Sequence, residues 1–542
     1  MAKVINPKIE VVSYGPELKI KIYDEKEIVV SSDEFVYGAA NITYKDIGAL
    51  RELIDLKKND VDISNKVRKM LIKVGGSGHA SMATTPGFWT FIEGDSSKFV
   101  DSIFTTAVFG SSLMPSGRRV PISKEAIVVP KMIINKGNEL TNLYLQQSEK
   151  NIQLYEILQT KDVPKEEAAK IVQYGHRGGG FMFMPLETLI HFSKLAERNP
   201  EDMPEEGKEI ISKLEDFVKS HGMEIIYEAR KRSPRTGCVH PNIFRDANSS
   251  NKNYAEELVD TRKKTDPIFY EPPLLLKNIQ GSPELNRRLK NYFERRKTVF
   301  KNSKLIKNEW ENLLGELECI VNDFNTTVNI KIGSNIPWRI WGEVKRHRTL
   351  SQDTESIYHA VNRAIEKVHI NNNEIGGIDN PNFWYPVVSL PSNVRNNEKN
   401  FEMWINEFSN SIKVYQQLIN AGIKKSEALA IIPRGIKLMN IKNYDLYNLT
   451  TGYMSLRLCG TAEFEMRAIT EQEAKIVKKI FPYPELISPK CHHVGFCPEI
   501  DYQGKKCMKI NQQIKNYDEE MHKDLQKTRV KNIEENLFNP NL

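Results

Sequence analysis

Residues 346–356 of this 542-residue chain read RHRTLSQDTES, a cationic run followed by two serines. Arg346 and Arg348 lie two positions apart, so they share a face wherever the backbone is extended. Guanidinium groups bind phosphate oxygens through paired hydrogen bonds, and a serine hydroxyl can add a neutral one. The stretch is therefore either a phosphate site or an exposed basic turn, and the rest of the chain has to decide between them.

The composition is that of a globular protein with more than one domain, since 40% of the residues are hydrophobic and 27% charged. The 77 basic and 70 acidic residues leave a net charge of +7, which suits a small anionic substrate and does not require a nucleic-acid partner. The N-terminus has no apolar signal segment, and no apolar run reaches membrane-spanning length. With six cysteines, these features predict a cytoplasmic protein with reduced or metal-bound thiols.

The order of predicted elements is similar in the two halves of the chain. TTVNIKI (326–332) alternates like a strand, and Pro337 opens a predicted helix, PWRIWGEVKR, that runs into the cationic motif. Strand, helix, serine-containing loop and long helices also follow one another in the first half, where a long helical stretch is predicted over EEAAKIVQYG. This order predicts an internal duplication and an α+β fold with long helices.

The predicted boundaries place an N-terminal domain at 1–232, a connector rich in Pro, Asn and Ser at 233–300, a C-terminal domain at 301–485 and a Cys- and His-rich tail at 486–542.

Arg346-His347-Arg348, seven residues and then Ser356 together resemble the signature of the flavin-dependent thymidylate synthases, the ThyX family. MSLRLCGTAEFEMRAI (454–469) resembles the leucine-arginine segment of that family. In the first half, GHASM (78–82) is similar to its Gly-His-x-Ser turn, and SSLMPSGRR (111–119) to the serine-rich end of its signature.

The resemblance implies a set of site residues. Arg457 would be catalytic, stabilising negative charge on the uracil ring of dUMP. The residues implied to bind FAD are His79, Ser81, Arg346, His347, Arg348 and Ser351. Those implied to bind dUMP are Ser116, Gly117, Arg118, Lys170, Glu343, Arg346, Ser356 and Arg457.

Each half lacks part of the family's set. The first half reads Thr106-Ala107-Val108 where the cationic motif is expected, and the second reads Ser356-Ile357-Tyr358 in place of Ser-x-Arg. The resemblance thus implies two ThyX-like domains, each with mixed or antiparallel sheets and long helices. They would be fused as a pseudodimer in which each domain keeps one side of the site. A homodimer, or pseudotetramer, would replace the homotetramer of the family.

By resemblance, the chain is an enzyme that reductively methylates dUMP to dTMP, with FAD, methylenetetrahydrofolate and NADPH. Glu343, Thr354 and Tyr358 depart from the family pattern and leave two alternatives. One is a related flavoenzyme acting on another pyrimidine nucleotide, and the other is an inactive nucleotide-binding homologue.

The segment PKCHHVGFCPEIDYQGKKC (489–507) concentrates thiols and imidazoles. Cys491, His492, Cys497 and Cys507 could close a tetrahedral, structural zinc site. The alternative is a cytosolic tail with free thiols.

Overall fold

The computed structural model describes residues 3–21, 27–42, 45, 48–77, 79–115, 120–198, 200–233, 241–246, 252–265, 273–279, 281–373, 380–498 and 518–537. They fold into two compact units that are each assembled from separate segments of the chain. Unit 1 comprises 1–252, 337–348 and 355–438, and unit 2 comprises 253–336, 349–354 and 439–542. The boundaries predicted along the chain remain a prediction.

The described residues form twelve strands, which are numbered in chain order. They are β1 Lys3–Val4, β2 Asn6–Gly15, β3 Leu18–Lys21, β4 Glu27–Val30, β5 Gly87–Asp95, β6 Ser111–Leu113, β7 Val128–Val129, β8 Gly180–Pro185, β9 Leu274–Ile279, β10 Asn329–Pro337, β11 Ser351–Thr354 and β12 Lys437–Tyr444.

The α-helices are numbered in the same way. The first eleven are α1 Ser32–Ile42, α2 Ala49–Lys58, α3 Ser64–Gly76, α4 Ala80–Thr84, α5 Phe99–Phe104, α6 Lys131–Asn135, α7 Asn138–Gln159, α8 Lys165–Ala168, α9 Leu186–Arg198, α10 Glu205–Ser220 and α11 Glu224–Lys231. The others are α12 Tyr254–Thr265, α13 Pro283–Val299, α14 Ser303–Phe324, α15 Trp338–Val344, α16 Ile357–Asn373, α17 Pro381–Trp384, α18 Ser392–Arg395, α19 Glu398–Asn420, α20 Lys425–Ala428, α21 Leu446–Thr450, α22 Tyr453–Arg457, α23 Phe464–Ile480, α24 Lys490–Val494 and α25 Glu519–Leu537. Among the described residues, no helix has both the length and the apolar character that crossing a membrane requires.

Two four-stranded sheets share one strand order. The first runs β2–β5–β8–β6 with antiparallel neighbours. The second, counted from its other edge, runs β9–β10–β12–β11. Their common order agrees with the predicted duplication, and the predicted α+β class with antiparallel sheets and long helices is confirmed.

The core of unit 1 contains a reciprocal contact between its two long helical segments. Helix α7 packs on α19, where Asn151 Nδ2 donates to Ser411 Oγ over 3.0 Å. Beyond these helices, Gly175 N donates to Ala430 O and Gly435 N donates to Lys170 O. The long helix predicted over EEAAKIVQYG was wrong, because α8 ends at Ala168 and the residues after it pair with the 430–435 backbone.

Two sequence predictions bear directly on the site. The strand predicted at 326–332 is confirmed as β10, and the helix after Pro337 is confirmed as α15, which ends at Val344 before the cationic motif. The segment 233–300, predicted to be a connector, contains α12, β9 and α13. Proline at the entrance of α15 fixes an extended backbone that turns the chain from strand to helix.

Candidate functional site

The cationic motif lies in unit 1, directly after α15. Arg346 Nη2 donates to Asp101 Oδ1 over 3.0 Å, and Arg348 Nε donates to Ala107 O over 2.8 Å. Ala107 is the middle residue of the segment 106–108, where the family resemblance predicts the counterpart of the motif in the first half. The cationic motif therefore contacts the segment that is predicted to be its counterpart.

Two buried lysines extend this site. Lys345 is 2% exposed, donates a hydrogen bond to Asp101 O and holds its Nζ 3.7 Å from Asp101 Oδ1. Lys98 is 9% exposed, and its Nζ donates to Pro115 O over 3.3 Å. Pro115 immediately precedes Ser116 in the sequence.

Two buried arginines complete the group. Arg339 N donates to Arg434 O over 3.0 Å, so the two residues are neighbours. Arg434 Nη1 lies 3.3 Å from His176 Nε2, and His176 Nδ1 lies 2.6 Å from Gln173 O. A carbonyl oxygen only accepts, so Nδ1 carries the proton and Nε2 accepts from Arg434. The ring is neutral, because burial and then the charges of Arg434 and Lys98 push the pKa of His176 well below its usual value.

We refer to Lys98, Arg339, Lys345, Arg346 and Arg434 as the cationic cluster. Among the described residues, the carboxylates identified at this cluster are Asp101, which contacts Lys345 and Arg346, and Glu343, whose charge acts on Arg346. The five cations of the cluster therefore outnumber these two carboxylates.

The pKa values of the cluster residues and of Asp101 reflect this surplus of cations over carboxylates. Burial lowers the pKa of Lys345, and the positive charges of Arg346 and Lys98 lower it further. Together they outweigh the stabilising charge of Asp101, so the pKa falls to about 7. Burial and the nearby guanidinium groups lower the pKa of Lys98 to about 8 and that of Arg434 to about 10. Burial alone would raise the pKa of the Asp101 carboxyl, but the surrounding cations hold it well below its usual range.

The remaining predicted residues of the second-half signature lie in different environments. Ser356 is fully buried and donates to Arg245 O over 2.6 Å, so its hydroxyl proton is engaged within the protein. Ser351 is exposed on β11 in unit 2, whereas Glu343 and His347 are half-buried in unit 1.

The predicted first-half residues divide in a similar way. His79 and Ser81 are exposed at the start of α4. Lys170 is fully buried, and its Nζ forms a 2.7 Å ion pair with Glu167 Oε2. Ser116, Gly117 and Arg118 lie outside the described residues.

Arg457 is the last residue of α22 in unit 2 and is half-buried. The first residue of that helix, Tyr453, is fully buried, and the charge of Arg457 acts on its phenol. The helix is thus buried at its N-terminal end and partly exposed at the residue assigned a catalytic role.

A buried polar network supports the same unit. Glu473 accepts hydrogen bonds from Lys442 Nζ and Tyr444 Oη, both over 2.5 Å, and from Ser334 Oγ. Lys442 Nζ also lies 5.7 Å from the centroid of the Tyr453 ring. The network connects β10, β12 and α23 with the helix that carries Arg457.

The predicted metal ligands fall on α24 and the residues after it. Cys491 is buried, and His492 O accepts a hydrogen bond from Arg296. Burial and then Arg296 lower the pKa of His492 to about 4. Within the described ranges, no group of three or more His, Cys, Asp or Glu side chains is arranged to hold a metal ion. Cys507 lies outside these ranges, so the four-ligand set remains a prediction.

Sequence reasoning missed Lys98, Arg339, Lys345, Arg434 and Asp101. Lys98 and Arg434 lie in SSKFVDS and IIPRGIK, which match no motif that we identified. For Arg434 the available signal was a basic residue inside an otherwise apolar segment, which is costly to bury without a purpose. The polar segment around Lys98 offered no such signal.

Comparison with known proteins places the chain in a family. Residues 28–220 and 283–483 both match Thy1, described as thymidylate synthase complementing protein. A flavin-dependent thymidylate synthase from Pyrococcus furiosus is 29% identical over 126 residues, which cover 22% of this chain and 51% of that protein. One from Pyrococcus abyssi is 25% identical over 128 residues, with the same coverage. The chain thus spans about half the length of these curated relatives.

Two solved structures are also similar to part of the chain. They are crystal structures of a UMP/dUMP methylase, PolB from Streptomyces cacaoi, bound with 5-Br dUMP and with 5-Br UMP. The TM-scores are 0.33 and 0.31 at 13% identity, with 44% of this chain and 100% or 99% of those chains covered. The family match is the broader finding, because it occurs twice and spans most of the sequence, and on that basis the chain belongs to the Thy1 family.

Proposed function

We propose that this chain is a flavin-dependent thymidylate synthase that converts dUMP to dTMP with methylenetetrahydrofolate and NADPH. The observation that carries the proposal is the position of Arg346-His347-Arg348. The motif lies inside the second Thy1 match and beside four further buried cations of unit 1. An exposed basic turn, the alternative interpretation of this stretch, would not bring buried cations together.

The side chains of unit 1 fit a flavin dinucleotide by their chemistry. Such a cofactor carries a pyrophosphate, and guanidinium groups are suited to its oxygens. Arg346 Nε is buried without a hydrogen-bond partner among the described residues, which leaves a donor for an anion. We assign Arg346, His347 and Arg348 to the cofactor, with His79 and Ser81 as further contacts. Ser351 of unit 2 is a separate candidate for cofactor binding, carried over from the family resemblance. The flavin would supply the hydride that the methylation requires.

Within the proposed reaction, the protein positions the substrate and stabilises charge. We assign Arg457 to the uracil ring, where a guanidinium group offsets negative charge that develops during methylation. Ser116, Gly117 and Arg118 are assigned to the phosphate of dUMP. Lys170 remains a candidate phosphate ligand, although its ammonium group is already paired with Glu167.

We further propose that the two Thy1-like halves form a pseudodimer. Reciprocal backbone hydrogen bonds support it, since Gly175 donates to Ala430 while Gly435 donates to Lys170. Such exchanged contacts are the hallmark of a two-fold interface. A homodimer of this chain would then correspond to a pseudotetramer, which size-exclusion chromatography with light scattering can test.

One observation favours a second candidate, a flavoenzyme acting on another pyrimidine nucleotide. Tyr358 stands where the family signature has its arginine, and it is buried with its hydroxyl donating to Asp202 O. The phosphate contact expected at this position is therefore replaced by an internal one. Assaying UMP, dCMP and dUMP side by side separates this candidate from the first.

The test of the proposal uses the purified full chain. We expect the visible absorbance of an oxidised flavin, and dTMP formation that requires dUMP, methylenetetrahydrofolate and NADPH. Flavin binding without methylation of any pyrimidine nucleotide would reject the enzyme assignment. Absence of both flavin binding and nucleotide binding would reject the inactive homologue as well.

The tail is tested separately by metal analysis of the same preparation. A structural zinc site predicts about one equivalent per chain, lost on substitution of Cys491 or Cys507 by serine. A folded preparation without metal would assign these cysteines as free thiols.

A further inference from the structure

The cationic cluster contains more positive charges than the carboxylates identified at it. Lys98, Lys345 and Arg434 are each at most 9% exposed, and none belongs to a motif of the proposed site. Buried charges are normally paired, because their desolvation is otherwise uncompensated. The carboxylate of Asp101 contacts Lys345 and Arg346, so it cannot neutralise the whole group.

The charges also act on one another. The positive charges of Arg434, Arg346 and Arg339 each oppose the charged form of Lys98. Arg339 acts on Arg434 in the same way, and Lys98 acts on Lys345. A group of mutually repelling cations held inside a fold is stabilised when an anion of several charges binds among them.

We propose that the cationic cluster of unit 1 binds the phosphate groups of a nucleotide, with Lys98, Lys345 and Arg434 as ligands outside the recognised motifs. The anion class does not depend on the proposed reaction, whereas the identity of the nucleotide rests on the proposed function. The chemistry would be shared by the monophosphate of a substrate and the pyrophosphate of a flavin dinucleotide.

Several features favour phosphate over a single-charge anion such as chloride. The cluster combines guanidinium groups, which bind two oxygens at once, with ammonium groups, which act as compact charges. Lys98 also contacts Pro115 O, one residue before the Ser116-Gly117-Arg118 segment that resembles a phosphate-binding loop. A dianion or a pyrophosphate would offset two or more of the positive charges that remain once Asp101 is counted.

The first experiment titrates the full-length protein with inorganic phosphate and with pyrophosphate by calorimetry, against sodium chloride at equal ionic strength. We expect saturable binding of the phosphates and none of chloride. Equal heats for phosphate and chloride would overturn the proposal, since they would indicate an adventitious ion only.

The second experiment compares Lys98→Met and Lys345→Met with the wild type. We expect each variant to lose at least about tenfold in phosphate affinity, the size of one charge-assisted hydrogen bond. Lys131→Met is the matched control, because Lys131 is a unit 1 lysine that pairs with Glu209 at the surface. An unchanged affinity in both cluster variants, or an equal loss in the control, would contradict the proposal.

Two ligand pairs distinguish the sources of the phosphate. A preference of the wild type for dUMP over deoxyuridine that disappears in Lys98→Met assigns the cluster to the substrate. A preference for FAD over riboflavin that disappears assigns it to the cofactor. If neither preference depends on the cluster, the nucleotide assignment is wrong. Phosphate binding without any dTMP synthesis would reject the proposed function but retain the anion site.

Discussion

Lys345 of unit 1 and Lys442 of unit 2 are buried to nearly the same extent, at 2% and 0% exposed, yet their pKa values move in opposite directions. Burial alone would lower both. Around Lys442, Glu473 outweighs burial and raises the pKa. Around Lys345, burial and neighbouring cations outweigh Asp101 and lower the pKa to about 7. The charged form of lysine is therefore stabilised at position 442 in unit 2 and destabilised at position 345 in unit 1.

The difference lies in the partners of each ammonium group. Glu473 accepts from Lys442, Tyr444 and Ser334, which makes a closed internal network. Lys345 shares Asp101 with Arg346 and lies among further cations. A network that satisfies its own charges is structural, whereas a cluster left with excess charge indicates an external ligand.

The largest expected effect comes from breaking the closed network. Lys442→Met leaves Glu473 buried without its cation, so we expect the free energy of unfolding to fall by about 3–5 kcal/mol. Chemical denaturation monitored by circular dichroism measures this loss. A loss below about 1 kcal/mol would show that Glu473 is not held as an ion pair.

The next largest effect concerns activity. Removing the guanidinium group in Arg457→Ala should lower kcat about 10²–10³-fold, the usual result of losing one charge-stabilising donor. Because Arg457 belongs to unit 2 and lies outside the cationic cluster, phosphate binding should be unchanged. Arg457→Lys is the control that retains the charge. Full activity of Arg457→Ala would exclude the assigned role.

A smaller effect, opposite in sign to the first, is expected for Lys345→Met. Replacing a cation in a repelling cluster by an apolar side chain of similar volume should stabilise the ligand-free protein by about 1 kcal/mol. The measurement is the same denaturation, carried out in phosphate-free buffer. A loss as large as that of Lys442→Met would mean that Lys345 is a structural partner of Asp101.

The last expected effect is a dependence of stability on pH. Lys345 and Lys98 have folded pKa values of about 7 and about 8, below the ordinary lysine value of 10.5. Between the folded pKa values and 10.5, the unfolded chain binds more protons than the folded protein does. The stability of the ligand-free protein should therefore rise as the pH increases from 7 to 9. The facing groups are Asp101, Arg339, Arg346 and Arg434.

The control for this pH dependence is the double variant Lys98→Met/Lys345→Met, in which the rise should disappear. Persistence of the same slope in the double variant would assign it to other groups.

Local patterns predicted much of this fold and part of the site. The alternation in TTVNIKI and the proline after it predicted β10 and α15. These features depend on residues that are close in sequence. The helix expected over EEAAKIVQYG ends early because residues from the other half pair with its backbone, which no local pattern encodes.

The cationic cluster could not be predicted for the same reason. Lys98, Arg346 and Arg434 come from separate parts of the sequence and meet only when unit 1 folds. For Ser356, in contrast, the motif predicted a contact with the substrate. In the folded protein its hydroxyl donates to Arg245 O instead. Motifs identify the family, whereas the charge balance of the folded unit identifies which side chains still need a ligand.

The most direct test of this account is the phosphate-induced change in unfolding free energy, measured for the wild type, Lys345→Met and Lys442→Met. We predict that phosphate stabilises the wild type and Lys442→Met by the same amount and stabilises Lys345→Met much less. Equal stabilisation of all three proteins, or loss of the effect in Lys442→Met alone, would contradict the assignment of the cationic cluster as the phosphate site.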